Sequence, residues 1–166
     1  AITPDILDQI CEINADFYLP TDATAIPTGE ILKVEGTPFD FRTPKPFGQD
    51  INADHEQIKF GKGFDHNYVL NKREEGELSF AARITDPKSG RTLECYTTEP
   101  GMQLYTANYA TGYKGANGCT FPYRSAVCLE TQHFPDTPNR PYFPSVILRP
   151  GQTYKHKTIY RFGVVE

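Results

Sequence analysis

The chain has no tryptophan and one methionine in its 166 residues, and its four cysteines are scattered. Cys11, Cys95, Cys119 and Cys128 form no C-x-x-C pair. That spacing argues against a zinc site, and a chain of this length has little need of a disulfide framework. The four are expected to be reduced, partly buried thiols. No apolar run approaches the length needed to cross a bilayer, so no membrane span is expected. Ala1 to Gln9 offers neither a basic nor an apolar region of the kind that opens a secretory signal, and a cytoplasmic setting is favoured. Positive charge is also short. A net charge of −4 leaves no basic footprint for nucleic acid, and a neutral or polar small ligand suits such a surface better than a polyanion.

Phenylalanine and tyrosine are plentiful, with eleven Phe and ten Tyr, and hydrophobic residues make up 38% of the chain. That is the profile of one globular domain with a sizeable core, since disordered chains are poorer in aromatics and richer in charge. Aromatic and β-branched residues together with 13 Gly and 14 Pro favour strands and turns over helices.

The strand signals are period-two alternations. Over Gln9 to Leu19, Cys11, Ile13, Ala15 and Phe17 alternate with Glu12, Asn14, Asp16 and Tyr18. A Pro- and Thr-rich loop, Pro20 to Gly29, precedes a short strand at Ile31 to Val34. Gly36 to Phe60 reads as a long irregular stretch, functional or pinned by its neighbours. A strand is expected over His66 to Asn71. Leu78, Phe80, Ala82 and Ile84 face one way in the next. Asp86-Pro87-Lys88-Ser89-Gly90 has turn chemistry, and Thr92 to Thr98 returns as a hairpin. Glu99-Pro100-Gly101 is a second turn before a strand at Met102 to Tyr109. Strands at Ser125 to Glu130 and Thr153 to Val165 complete the set. Helix signals are weak throughout, and the pattern is that of an all-β, antiparallel β-sandwich.

Four segments carry residues suited to chemistry: Gly63-Phe64-Asp65-His66-Asn67-Tyr68, the run Thr97 to Asn108, Cys128 to Asp136, and Tyr142 to Gly151. With Ile13-Asn14-Ala15-Asp16 and Ile26-Pro27-Thr28-Gly29 ahead of them, and in this order, they closely resemble the signatures of the aldose 1-epimerase family. The resemblance covers essentially the whole chain. It implies a supersandwich fold of the galactose mutarotase type, of which residues 1–166 would form the carboxyl-terminal half. It also implies an amino-terminal half of the same enzyme as partner, supplying a substrate-binding Arg and His and a catalytic His in an H-x-Y-F-N-type motif upstream of Ala1.

The activity implied is interconversion of the α and β anomers of aldoses such as galactose or glucose. Opening a hemiacetal ring needs a base for the C1 hydroxyl proton and an acid for the ring oxygen, and closing on the other face reverses the two roles. The reaction requires no metal, nucleotide or covalent intermediate, so no cofactor is expected.

Glu130 is the candidate base. It is expected at a strand end feeding a Pro-containing loop, where a carboxylate is held rigidly yet reaches a ligand. On the pattern alone a solvated Glu at a strand end is the plainer reading, and the family resemblance supplies the role. Asp65 follows Gly61 and Gly63. A carboxylate accepts two hydrogen bonds from vicinal hydroxyls, although a turn Asp bonding its own backbone has the same look. Gln103 alternates with Met102 and Leu104 and shares a face with Tyr105. Its amide both donates and accepts, as hydroxyl recognition requires, and a solvated sheet face is the plainer reading. By resemblance, Asp65 and Gln103 bind the sugar. His66 alternates away from Asp65, and a rim or structural role is expected for His133. Phe64, Tyr68 and Tyr105 read as core aromatics or as ring faces for a sugar. A non-catalytic sugar-binding sandwich and a hexose-phosphate epimerase are the alternatives. The latter would want cations near the site, where only Lys62 and Lys72–Arg73 lie close to Asp65 in sequence.

Overall fold

The alternation over Gln9 to Leu19 is shared between two sheets. In the computed structural model, which describes residues 5–110 and 112–165, Asn14 divides the stretch into β1 (Ile10–Ile13) and β2 (Ala15–Tyr18). The Asn14 side-chain amide donates to Phe80 O at 3.2 Å, and its backbone N–H donates to Ala81 O at 2.9 Å. The remaining strands follow as β3 (Leu32–Lys33), β4 (Lys45–Pro46), β5 (Asp65–Leu70), β6 (Ser79–Thr85) and β7 (Arg91–Thr97). After these come β8 (Gly101–Tyr105), β9 (Tyr113–Lys114), β10 (Thr120–Phe121), β11 (Cys128–Gln132) and β12 (Thr158–Val164).

One five-stranded sheet has the order β12-β7-β6-β1-β4 and the other the order β11-β8-β5-β2-β3, while β9 and β10 form a separate hairpin. These pairings are all antiparallel. The all-β antiparallel sandwich expected from the alternation is the architecture found. Its core draws Ile13, Tyr18, Tyr68, Phe64, Met102 and Leu104 together with residues of the first sheet such as Cys11, Ala82 and Cys95.

Two bulges alter the expected faces. The β2–β5 register shifts between Ala15 and Phe17, so Tyr18 turns into the core and Phe17 is exposed. A bulge inserts one residue and reverses the alternation beyond it. A second shift between Phe80 and Ala82 buries Ala81 beside Ala82, while Leu78 lies exposed ahead of the strand.

The irregular stretch 36–60 is pinned, as expected, because it is lined with core residues. Phe39, Phe41, Phe47 and Ile51 are all fully buried. Phe39 stacks on Tyr18 with ring centroids 4.4 Å apart, and Tyr68 Oη donates to Phe39 O at 3.1 Å. The stretch also leads into a short helix that the sequence pattern does not signal, α1 (Glu56–Gly61). His55 Nδ1 caps it by accepting from Gln57 N, and Lys62 ends it in the left-handed region at φ 54°. A helix of six residues is too short to display a 3.6-residue period.

The Asp86–Gly90 turn forms as expected: the Asp86 carboxylate accepts from Ser89 Oγ at 2.6 Å, and Gly90 takes φ 70°. Strand limits differ at three places. β8 stops at Tyr105, where Ala107 at φ 51° bends the chain, and β12 starts at Thr158. β11 spans Cys128–Gln132 instead of Ser125–Glu130, so Glu130 sits in mid-strand and not at a strand end.

The bulge in β2 is testable by truncation. Tyr18→Ala should cost about 3–5 kcal/mol, the usual range for removing a large buried aromatic. Phe17→Ala should stay below about 1 kcal/mol. Denaturant midpoints of the two variants check this, and equal costs would contradict the register.

Candidate active site

In the second sheet, β5, β8 and β11 lie side by side, and their pairing sets the composition of the open face. Asn67 pairs with Gln103, and Gln103 pairs with Glu130. Two residues away along β5, Asp65 pairs with Tyr105, and two residues along β11, Gln132 pairs with Gly101. Successive side chains of a strand point to opposite faces. Met102 and Leu104 therefore enter the core while Gln103 and Tyr105 face outward, and His66 and Tyr68 enter it while Asp65 faces outward. Asn67, on the same face as Asp65, is covered by neighbours.

Asp65, Asn67, Gln103, Glu130 and Gln132 line one cavity of about 220 Å³, walled by Leu19, Thr21, Pro27 and Pro135. Their amides form a chain. Gln132 Nε2 donates to Asn67 Oδ1 at 3.2 Å and approaches Gln103 Oε1 at 3.5 Å, and Gln103 Nε2 donates to Asp65 Oδ1 at 2.8 Å. The Glu130 carboxylate accepts no hydrogen bond among the described residues, so both oxygens remain open to a ligand. Gly101 must lack a side chain, since a Cβ there would lie 2.8 Å from Asn67 Oδ1 and 3.0 Å from Phe134.

The two carboxyls are both pushed above their ordinary range. For Asp65 the cause is burial, partly offset by the Gln103 hydrogen bond. For Glu130 it is burial first and then the negative charge of Asp65. Desolvation and a like charge both disfavour the ionised form. Perturbed carboxyls in a cleft, beside amides that donate and accept, suit a polyhydroxylated ligand and proton transfer to or from it. A larger hollow of about 670 Å³ lies beside Tyr18, Glu30 and His55, and Asp65, Gln103 and Glu130 do not line it.

Sequence reasoning thus singled out three residues that the fold brings together: Asp65, Gln103 and Glu130. It passed over Asn67 and Gln132, although each lies two residues beyond a chosen carboxylate and shares its face by simple alternation. The other candidates fall elsewhere. Phe64 and Tyr68 are core, and Tyr105 stacks on Tyr109 with centroids 6.3 Å apart. His66 is buried, with burial lowering its pKa to about 3, and its Nε2 lies 3.1 Å from Gln57 Oε1. His133 and His156 meet Glu99, and His55 caps the helix. None of these four histidines lines the cavity.

The family model for aldose 1-epimerase matches residues 1–161. The chain belongs to the aldose 1-epimerase family. It is 48% identical to galactose mutarotase of Rattus norvegicus over 163 residues, 98% of this chain and 46% of that protein. It is 36% identical to aldose 1-epimerase of Escherichia coli K12 over 95% of this chain and 46% of the relative. Among solved structures, the GalM/aldose epimerase homologue of C. elegans superposes with a TM-score of 0.86 at 30% identity, covering 99% of this chain and 48% of that one. The galactose 1-epimerase of Lactobacillus acidophilus gives 0.81 at 27% identity, covering 98% and 46%. The chain thus spans about half the length of the aldose 1-epimerase family members it matches.

The raised carboxyls carry a stability consequence. A carboxyl whose folded pKa exceeds its unfolded value stabilises the fold while protonated, and that contribution is lost as pH rises through the folded pKa. At pH ~7 the ionised pair therefore works against folding, and Glu130→Gln should raise the thermal midpoint there. The gain should disappear near pH ~3, below the ordinary carboxyl range. Melting curves at the two pH values check the sign.

Proposed function

We propose that this chain is the base-bearing part of a mutarotase, an enzyme that interconverts the α and β anomers of aldoses such as galactose or glucose. The reading rests on one observation above the others: Glu130, which accepts no hydrogen bond among the described residues, lines the same cavity as the amide–carboxylate pair Gln103 and Asp65 and stands beside Gln103 on the adjacent strand. Glu130 takes the proton from the C1 hydroxyl while the C1–ring-oxygen bond breaks and an acid protonates the ring oxygen. The open-chain aldehyde rotates about C1–C2. The ring oxygen then attacks the other face of C1, giving up its proton, and Glu130 returns a proton to the new anomeric oxygen. Asp65 accepts from sugar hydroxyls, and Gln103 donates to or accepts from them, so the two hold the ring while C1 turns over.

The histidines of this chain lie away from the cavity, so the ring-oxygen acid is assigned to an amino-terminal half of the same enzyme. A surface for such a partner is available. Phe162 is 79% exposed and Val164 68% exposed on the edge strand β12, with Ile147 and Leu148 also exposed. Exposed apolar patches and open sheet edges are interfaces or aggregation sites. A sugar phosphate is a poorer fit to this site, because no Lys or Arg is among the described residues that line the cavity, and the Lys72 ammonium is held elsewhere by Glu77 O, Ser79 Oγ and Thr97 O.

In the complete enzyme, Glu130→Gln should cut the mutarotation rate by about 10²–10⁴-fold with sugar still bound, because the amide keeps the shape and cannot take the proton. Asp65→Ala and Gln103→Ala should act mainly on KM, each lost hydrogen bond costing roughly 0.5–1.5 kcal/mol. Glu130 must be ionised to act, so kcat should fall as pH drops through its raised pKa. Asp65→Asn should move that limb to lower pH by removing the neighbouring charge. Polarimetry of fresh α-D-galactose across pH decides the set. A Glu130→Gln enzyme at the normal rate would leave a sugar-binding sandwich as the better reading.

The partner is tested separately. Residues 1–166 expressed alone should self-associate or aggregate and give little mutarotation, and co-expression with the amino-terminal half should yield a soluble, active pair. Size-exclusion chromatography with the same polarimetric assay checks both points, and a fully active monomer would contradict them.

A further inference from the structure

Among the described residues, Glu99 is the one fully buried carboxylate, and the proposed chemistry makes no use of it. It lies in the turn where the chain leaves β7 in the first sheet for β8 in the second. His133 Nδ1 lies 2.6 Å from its Oε2 and His156 Nδ1 lies 2.8 Å from its Oε1, both at ion-pair distance and outside hydrogen-bond geometry, which leaves Oε2 without a hydrogen bond. Tyr154 Oη donates to Oε1 at 2.8 Å. His133 directly follows β11, and His156 stands two residues before β12.

Further contacts extend from this point. Thr131 Oγ1 lies 2.6 Å from Thr158 Oγ1, and Tyr160 Oη donates to Leu129 O at 2.6 Å. Along β11 the gripped positions are 133, 131 and 129. Along β12 they are 156, 158 and 160, in the opposite direction. The two series advance in steps of two, the strand period. They form a polar seam between the edge strand of one sheet and the edge strand of the other. The gripped positions of β11 alternate with 128, 130 and 132, the series that carries Glu130 and Gln132.

β11 is bonded to a neighbouring strand on one side alone, through β8. An edge strand is the element of a sheet most free to shift. Proton transfer needs heavy atoms within about 2.6–3.2 Å, and a misplacement of ~1 Å can cost about 10²-fold in rate. Asp65 and Gln103 stand on β5 and β8, each flanked by strands on both sides. Loosening the seam would displace the base and leave the sugar-holding pair in place.

We infer that Glu99 is the hub of a set of positioning residues, with His133, His156, Thr131, Thr158 and Tyr160, that fixes Glu130 against the substrate by tying β11 to β12. The inference rests on the mutarotase reading of the site. The test is made in the complete enzyme with Glu99→Gln and with the double variant Thr158→Val/Tyr160→Phe, measuring kcat and KM together with thermal midpoints. The double variant removes two hydroxyls at nearly constant shape, so it tests the tie between β11 and β12 even if Glu99→Gln does not fold. The expected result is a kcat lower by about tenfold or more with KM within about twofold, and recovery of most of the rate when Thr158→Ser replaces Thr158→Val in the double variant. A double variant with the normal kcat overturns the inference, and so does a loss shared equally with KM or a Ser variant no better than the Val one. If the unmutated enzyme does not mutarotate, or Glu130→Gln keeps the full rate, the underlying reading fails and the positioning role falls with it.

Discussion

The site depends on strand register. Asn67, Gln103 and Glu130 stand abreast because β5, β8 and β11 pair antiparallel with those residues opposite one another. A slip of one residue in any of the three strands would turn a polar side chain into the core and a core residue into the cavity. The register is held by what lies on the reverse face. His66, Tyr68, Met102 and Leu104 are buried to 1% exposure or less, and moving these four into water would cost far more than any contact in the cavity returns. The site is thus the outward face of a pairing whose inward face fixes it.

Support for that pairing is uneven across the sheet. β5 and β8 are flanked by strands on both sides, and the stretch 36–60 lays Phe39, Phe41 and Phe47 over their apolar face. β11 is an edge, held along its length by β8, by Leu129 in the core and by the contacts to β12. The groups assigned to hold the sugar stand on the best-supported strands, and the group assigned to move the proton stands on the least supported one.

Much of this was legible in the sequence, and the exceptions have physical causes. Alternation located the strands and placed Gln103 opposite Met102 and Leu104, and it turned His66 away from Asp65. It failed at Phe17 and at Leu78-Phe80, where a bulge inserts a residue and reverses the faces. Bulges leave no mark on a period-two pattern until the pairing is known. The helix at Glu56–Gly61 was missed because six residues hold less than two turns. Glu130 was expected at a strand end because Pro135 and the following turn residues dominate the local pattern, yet Thr131 and Gln132 still pair with β8. Asn67 and Gln132 carry no signal of their own in the sequence beyond sharing a face with Asp65 and Glu130. Extending the alternation by one more step on each strand would have found both.

The two carboxylates are a consequence of the same geometry. Asp65 on β5 and Glu130 on β11 face the same cavity with β8 between them, and the charge of Asp65 still adds to the rise in the pKa of Glu130. A protein selected for stability alone would separate such a pair or neutralise one member. Here the repulsion persists, and Gln103 donates to Asp65 and not to Glu130. That choice lowers the proton affinity of the carboxylate assigned to hold the sugar and leaves that of the assigned base high. A base matched to its task needs a pKa lifted toward the working pH, because a carboxylate left in its ordinary range is a weak proton acceptor at neutrality. Solvating Glu130 with an amide of its own would relax the strain and weaken the base. The hydrogen bond from Gln103 thus offsets part of the rise that burial causes at Asp65, while Glu130 has no such partner among the described residues.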